Sequence, residues 1–283
     1  MLCISLPVHQ HPEVLDNQLE NMYRYLPISC VVVHVSLEAL MLKRQFELVA
    51  KKFPSVYVNP QSLPTEWGWM FQSHLSNYCF AQNRGLGFEY FMLEASNSAY
   101  VRPLDPATLR QHLFHAELSK LLPGTWSWEQ SVRADLPLHL MIRHFSGSDD
   151  LFLGFCEGSA YERNLLAEMW SIMTKYYAFD FREARFVREE VYFVNLAKRL
   201  CERHGNGFTR NAWDKPSFED KVAAIEVMRS GAPLWYPADL ALPEESRPAR
   251  NYFAIKPVPR VLDDPLRVHI SNLDAGRTTA ACA

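Results

Sequence analysis

A chain of 283 residues, 48% hydrophobic and 13% aromatic, is long enough for one large α/β domain or two small ones and too apolar for wholesale disorder. Its formal net charge of -3 supplies no basic field, which argues against a nucleic-acid partner while leaving room for a local basic pocket. The six cysteines, at 3, 30, 79, 156, 201 and 282, form no CxxC pair and lie mostly in apolar runs, as expected of reduced thiols in a cytosolic protein.

Residues 2–8 open the chain as a strand-like run without a basic leader, too short for a signal peptide or a membrane span. No later run reaches the length of a membrane helix, so the expected location is the cytoplasm or the inner face of a membrane. A helix follows, with Pro12 and Glu13 in its first turn and Val14, Leu15, Leu19, Met22 and Tyr23 near helical spacing. Residues 30–35 form a β-branched buried strand, 37–52 an amphipathic helix, and 55–60 a third short strand. A helix over 69–83 then leads into a strand over 88–94. This alternation predicts an α/β fold whose mostly parallel central sheet is flanked by helices. Ligands in such sheets bind at the carboxyl ends of strands. Here those ends carry Val8 and His9, His34 and Ser36, Asn59, and the run from Glu94 to Asn97.

The second half is less regular. Helices are expected over 110–122, 160–177 and 191–204, another within 213–231, a loop over 237–250, and a small, polar tail from Asp274 that frays. No repeat and no boundary divides the chain, so residues 1–273 are read as one domain.

Gly-rich phosphate loops and GxSxG are absent, which disfavours dinucleotide dehydrogenases, P-loop enzymes and serine hydrolases. Two features do carry chemistry. Phe253-Ala254-Ile255-Lys256 delivers a lysine from an apolar strand, followed by Pro257, Pro259 and Arg260. Upstream, Glu189 and Glu190 stand at a predicted helix start, where the macrodipole favours a carboxylate. A carboxylate base plus fixed cations is what sugar transfer from a nucleotide diphosphate requires. The other acidic pairs, Asp149-Asp150 and Asp263-Asp264, are not DxD motifs, and neither metal nor cofactor is expected.

Three further segments resemble one family. They are Glu89 to Arg102 (EYFMLEASNSAYVR), Val56 to Pro60 followed by Glu66-Trp67-Gly68-Trp69, and Gly158-Ser159-Ala160-Tyr161. In this order, over about residues 2–273, they resemble the core-2/I-branching N-acetylglucosaminyltransferases and their bacterial relatives. Those are inverting, metal-independent enzymes of GT-A fold.

The resemblance implies a nucleotide-sugar donor, UDP-linked, and a glycan acceptor, with Glu190 as base beside Glu189. It also implies that Lys256 and Arg229 hold the diphosphate, with Arg250, Arg260 and Arg267 as competitors for the arginine's place. Val8, His9, His34 and Ser36 fall at the nucleotide, and Trp67, Trp69, Asn97, Glu157 and Tyr161 at the acceptor. The family's aspartate after the second strand is Ser36 here, and Asn97 replaces a glycine. These departures motivate a rival reading, an inactive sugar- or nucleotide-binding protein or scaffold in glycan assembly. A metal-dependent transferase using Asp149 or Asp150 is a third. Peripheral membrane association is compatible with all of them.

Overall fold

The computed structural model describes residues 1–66, 68–143, 145, 150–176, 186–248 and 250–273. In chain order the strands are β1 (Leu2–Val8), β2 (Ile28–Val35), β3 (Val56–Val58), β4 (Tyr90–Leu93), β5 (Ala99–Tyr100), β6 (Phe114–His115), β7 (Ser119–Lys120), β8 (Phe152–Leu153), β9 (Ser159–Glu162), β10 (Thr209–Asn211) and β11 (Ala254–Lys256). The helices are α1 (Pro12–Tyr25), α2 (Lys43–Ala50), α3 (Met70–Asn83), α4 (Pro106–Leu109), α5 (Glu129–Arg133), α6 (Leu136–Ile142), α7 (Arg163–Tyr176), α8 (Tyr192–Leu200), α9 (Phe218–Ser230), α10 (Pro237–Leu240) and α11 (Pro265–Asn272).

The main sheet has the order β3-β2-β1-β4-β9-β6. Strands β1 to β4 pair in parallel, and β9 runs against both β4 and β6. Central position explains why every residue of β1 is buried: a strand covered on both faces has no solvent side. Its alternate residues still separate, Cys3 packing with Val32, Phe91 and Leu93 on one face, and Leu2, Ile4 and Leu6 with Val31, Val33 and Met92 on the other. The α/β class and the mostly parallel, helix-flanked sheet are thus as expected.

Helix α1 begins as expected, with Pro12 at its start and Glu13 in its first turn. It buries two polar residues besides its apolar stripe. Gln18 Nε2 donates to the Ala95 carbonyl at 2.7 Å, and Asn21 brackets Tyr100, donating to its carbonyl at 2.8 Å and accepting from its N–H at 2.7 Å. These bonds hold the loop from β4 to β5 against the helix. Beside that loop lies a second sheet, β10-β11-β5, which carries Lys256 at its end.

Three expectations are corrected. Residues 110–122 are not a helix: Phe114 and His115 pair with Tyr161 and Ala160, so sheet-edge pairing overrides local propensity. Likewise 160–162 belong to β9, and the helix expected from 160 begins at Arg163. The 237–250 segment includes the short helix α10. The tail from Asp274 lies outside the described residues.

The turn into β9 depends on Gly158, whose φ of 72° suits glycine. Its N–H donates to the Leu93 carbonyl at 2.8 Å, and a Cβ there would collide with the Thr209 hydroxyl and backbone nitrogen. Gly158→Ala is expected to destabilise the protein by about 2 kcal/mol or more. An unchanged denaturant midpoint would contradict this account of the turn.

Candidate active site

The carboxyl ends of β1 and β4, the approach to β9 and the end of β11 meet around a cavity of about 90 Å³. His9 follows β1; Ser96 and Asn97 follow β4; Glu157 precedes β9; Lys256 closes β11, and Arg260 comes just after it. Thr65 and Met70 complete the wall from the loop before α3 and its first residue. The Lys256–Pro257 peptide is cis. Val258 donates to the Asn97 carbonyl at 2.7 Å and Arg260 Nε to the Ser96 hydroxyl at 2.8 Å, which ties the β11 exit to the β4 loop.

Lys256 forms an ion pair with Glu157, both nearly buried at 14% and 6% side-chain exposure. Burial alone would lower the Lys256 pKa, but the Glu157 carboxylate outweighs it and the ammonium is held above its usual range. Burial lowers the Arg260 guanidinium. Burial also lowers His9, with the Arg260 charge adding to the effect. On the acceptor side, Glu157 Oε2 and Asn97 Oδ1 are buried without a hydrogen-bond partner. The cavity wall therefore brings two cations together with the Glu157 carboxylate and the Asn97 amide.

Glu189 and Glu190 do not line the cavity, but their charges act on Lys256 and Glu157. They sit in a single 3-10 turn, Arg188–Glu190, before α8. Burial pushes Glu189 up to about 7, with the Glu157 charge adding to it, while backbone N–H groups of Glu189 itself and Phe71 hold it down. Phe71 lies in the first turn of α3, whose preceding residue Trp69 makes no side-chain cap bond. Glu189 thus faces the first turn of α3 from a distant segment, and its Oε2 is buried without a hydrogen-bond partner. Glu190 is pushed up to about 8, chiefly by burial and then by the charges of Glu157 and Glu189. Unlike Glu189 it is partly exposed, so of the two it is the carboxyl open to solvent.

A raised carboxyl binds its proton more tightly folded than unfolded. Its stabilising contribution is full below the ordinary carboxylate range and is lost as pH rises through the folded value. For Glu190 that window runs from 4.5 to about 8. Glu190→Gln carries no such loss, so its thermal midpoint should gain on wild type between about pH 5.5 and about pH 8.5. A difference that is constant with pH would contradict the burial of this carboxyl.

Other expected residues lie elsewhere. Arg229 is not brought to this cavity. Placed in the last turn of α9, it donates to the Val101 and Leu273 carbonyls and lines a separate cavity. Tyr161 is fully buried, stacked on Phe114 at 6.2 Å and packed beside Phe193, so it offers no face to an acceptor. His34 Nε2 accepts from the Leu63 N–H at 2.9 Å and holds the loop after β3, and burial lowers its pKa to about 4. The Ser36 hydroxyl donates to Glu38, and its N–H to the Val8 carbonyl at 2.8 Å. Val8, His34 and Ser36 are all buried. They support the cavity edge rather than line it. Trp69 precedes α3 next to the lining residue Met70, and Trp67 lies outside the described residues.

Asp150 pairs with Lys120 at 2.8 Å, and Asp149 lies outside the described residues. Among the described residues no helix is long and apolar enough to cross a membrane. Thr65 and Met70 line the cavity without any sequence signal, and only the fold brings them there; Ser96 falls in the strand-end run from Glu94 to Asn97.

No family model and no curated protein matches the chain. Similar solved structures include a nucleoside-diphosphate-sugar pyrophosphorylase from Vibrio cholerae, at 9% identity and TM-score 0.43, covering 73% of this chain and 91% of that one. A 4-diphosphocytidyl-2C-methyl-D-erythritol synthase matches at 13% identity and TM-score 0.36, covering 73% and 87%. The galactosyltransferase LgtC, in complex with donor and acceptor sugar analogues, matches at 7% identity and TM-score 0.38, covering 75% and 76%. At such identities and scores these likenesses say nothing of what this chain binds.

Proposed function

We propose that the protein is an inverting glycosyltransferase that moves a sugar from a nucleotide diphosphate donor, UDP-linked, to a glycan hydroxyl. The observation that carries this reading is the buried Lys256–Glu157 pair, with Arg260 on the same cavity and the protonatable Glu190 beside it. Glu190 takes the proton of the acceptor hydroxyl as its oxygen bonds to the anomeric carbon. The bond from that carbon to the phosphate oxygen breaks, and the nucleoside diphosphate leaves with the electron pair. Lys256 and Arg260 stabilise its developing charge, the role that fixed cations play when charge builds on a leaving group. Glu157 and Asn97, with unsatisfied oxygens, accept from sugar hydroxyls.

At about 90 Å³ the cavity is below the usual 300–1,000 Å³ of small-molecule sites. It takes a diphosphate-sized group or a single ring, and the rest of a nucleotide sugar lies outside it. Donor binding requires Lys256 to exchange Glu157 for phosphate, so the ion pair opens in the complex. The test is incubation with a panel of nucleotide sugars and glycan acceptors, with chelator present, reading diphosphate release and the anomeric configuration of the product. An inverted product supports the reading. A retained configuration, or turnover that stops with chelator, contradicts it.

A further inference from the structure

A second cavity, of about 460 Å³, lies between the end of β5 and the last turn of α9. It shares no lining residue with the Lys256 cavity, and its volume falls in the range of small-molecule sites. Arg102 and Arg229 supply its positive charge, Glu226 its negative charge, and Tyr25 and Val101 part of its wall.

Arg102 is the unusual group. Its guanidinium lies 4.0 Å over the ring of Phe253, and its Nε is buried without a hydrogen-bond partner. Among the described residues Arg102 makes no hydrogen bond and no ion pair. Stacking occupies the flat face of a guanidinium and leaves the N–H edge available for a planar or tetrahedral oxyanion. A half-buried cation with a fixed plane and no acceptor is costly unless an anion completes it. Arg229 already donates to the Val101 and Leu273 carbonyls, at 3.3 and 3.5 Å, and adds a second charge behind the first. Beside them Gly231 leaves room: a Cβ there would come within 3.4 Å of the Arg102 guanidinium.

We propose that this cavity binds a small phosphorylated polyol, with Arg102 holding the phosphate and Glu226 accepting from a ligand hydroxyl. Glu226 sets the class. Its carboxylate repels a second phosphate and disfavours polyphosphates, while a hydroxyl can donate to it. Phe253 lies three residues before Lys256, about 10 Å along the chain at strand rise, and the two cavities share no lining residue. This inference does not rest on the transferase reading.

The test is calorimetric titration of the full chain with glucose 6-phosphate, inorganic phosphate and glucose. Glucose 6-phosphate should bind more tightly than phosphate, and glucose should not bind. Arg102→Met keeps much of the packing on Phe253 and should weaken glucose 6-phosphate about tenfold or more. Glu226→Gln, at an exposed position, should strengthen inorganic phosphate and weaken the sugar phosphate's advantage. Lys256→Ala should leave glucose 6-phosphate affinity unchanged. Absence of binding by folded wild-type protein overturns the inference. So does binding that survives Arg102→Met and is lost in Lys256→Ala, which would place the ligand in the other cavity.

Discussion

Glu190→Gln should lower transfer by about 10²–10⁴-fold while donor affinity stays within a factor of about two of wild type. Gln keeps the shape and removes the ability to take a proton, and the position is not among those lining the Lys256 cavity. Glu189→Gln should instead act mainly on stability, because that carboxyl is buried beside the first turn of α3 and is less accessible than Glu190. The pH profile gives the same division. A base works only when deprotonated, so the rate should rise with pH until Glu190 has lost its proton, near the value of about 8 to which burial raises it. Glu189 and Glu190 repel each other, so the observed limb belongs to the pair. A profile flat from about pH 6 to about pH 9, or an active Glu190→Gln, would remove Glu190 from the role of base.

Lys256→Ala should have two separable effects. Nucleoside diphosphate affinity should fall by about two orders of magnitude, as expected when a buried charge-assisted contact to phosphate is removed. Stability should also fall, by about 3–5 kcal/mol, because Glu157 is left as an uncompensated buried carboxylate. Combining Lys256→Met with Glu157→Gln removes both charges and should restore most of that stability without restoring affinity. Chemical denaturation of the two variants checks this. Equal destabilisation in both would mean the pair contributes packing and little charge. A Lys256→Ala protein that binds nucleoside diphosphates normally would take the lysine out of the donor site.

The central strands were legible because burial on both faces leaves an apolar record: β1, β2 and β4 read as Leu2–Val8, Ile28–Val35 and Tyr90–Leu93, close to the expected runs. Strands β6 and β9 were not, since two to four residues paired across 45 and 47 positions leave no periodicity of their own. At the site, the apolar run before Lys256 placed that lysine at a strand end, and Glu157 is met there by the turn at Gly158. Which arginine joins them was beyond local reading. Arg229 stands at a helix end among carbonyls, while Arg260 reaches the cavity through its bond to Ser96, a contact spanning 164 positions. The resemblance pointed to Glu190 rather than Glu189; the structure adds the local difference between them, Glu189 buried in the 3-10 turn and Glu190 partly exposed at its end. The acceptor place that the resemblance gave Tyr161 differs from where the structure puts it, since a tyrosine in a sheet core and one beside a sugar have the same local signature.

The most direct test of the account is a calorimetric titration of wild type and Lys256→Ala with UDP-sugars and UDP, with chelator present. The account predicts saturable binding to wild type without divalent metal, lost in Lys256→Ala while the variant remains folded. Failure of every nucleotide to bind folded wild type, or equal binding to both proteins, would contradict the assignment of this cavity to a nucleotide-sugar diphosphate.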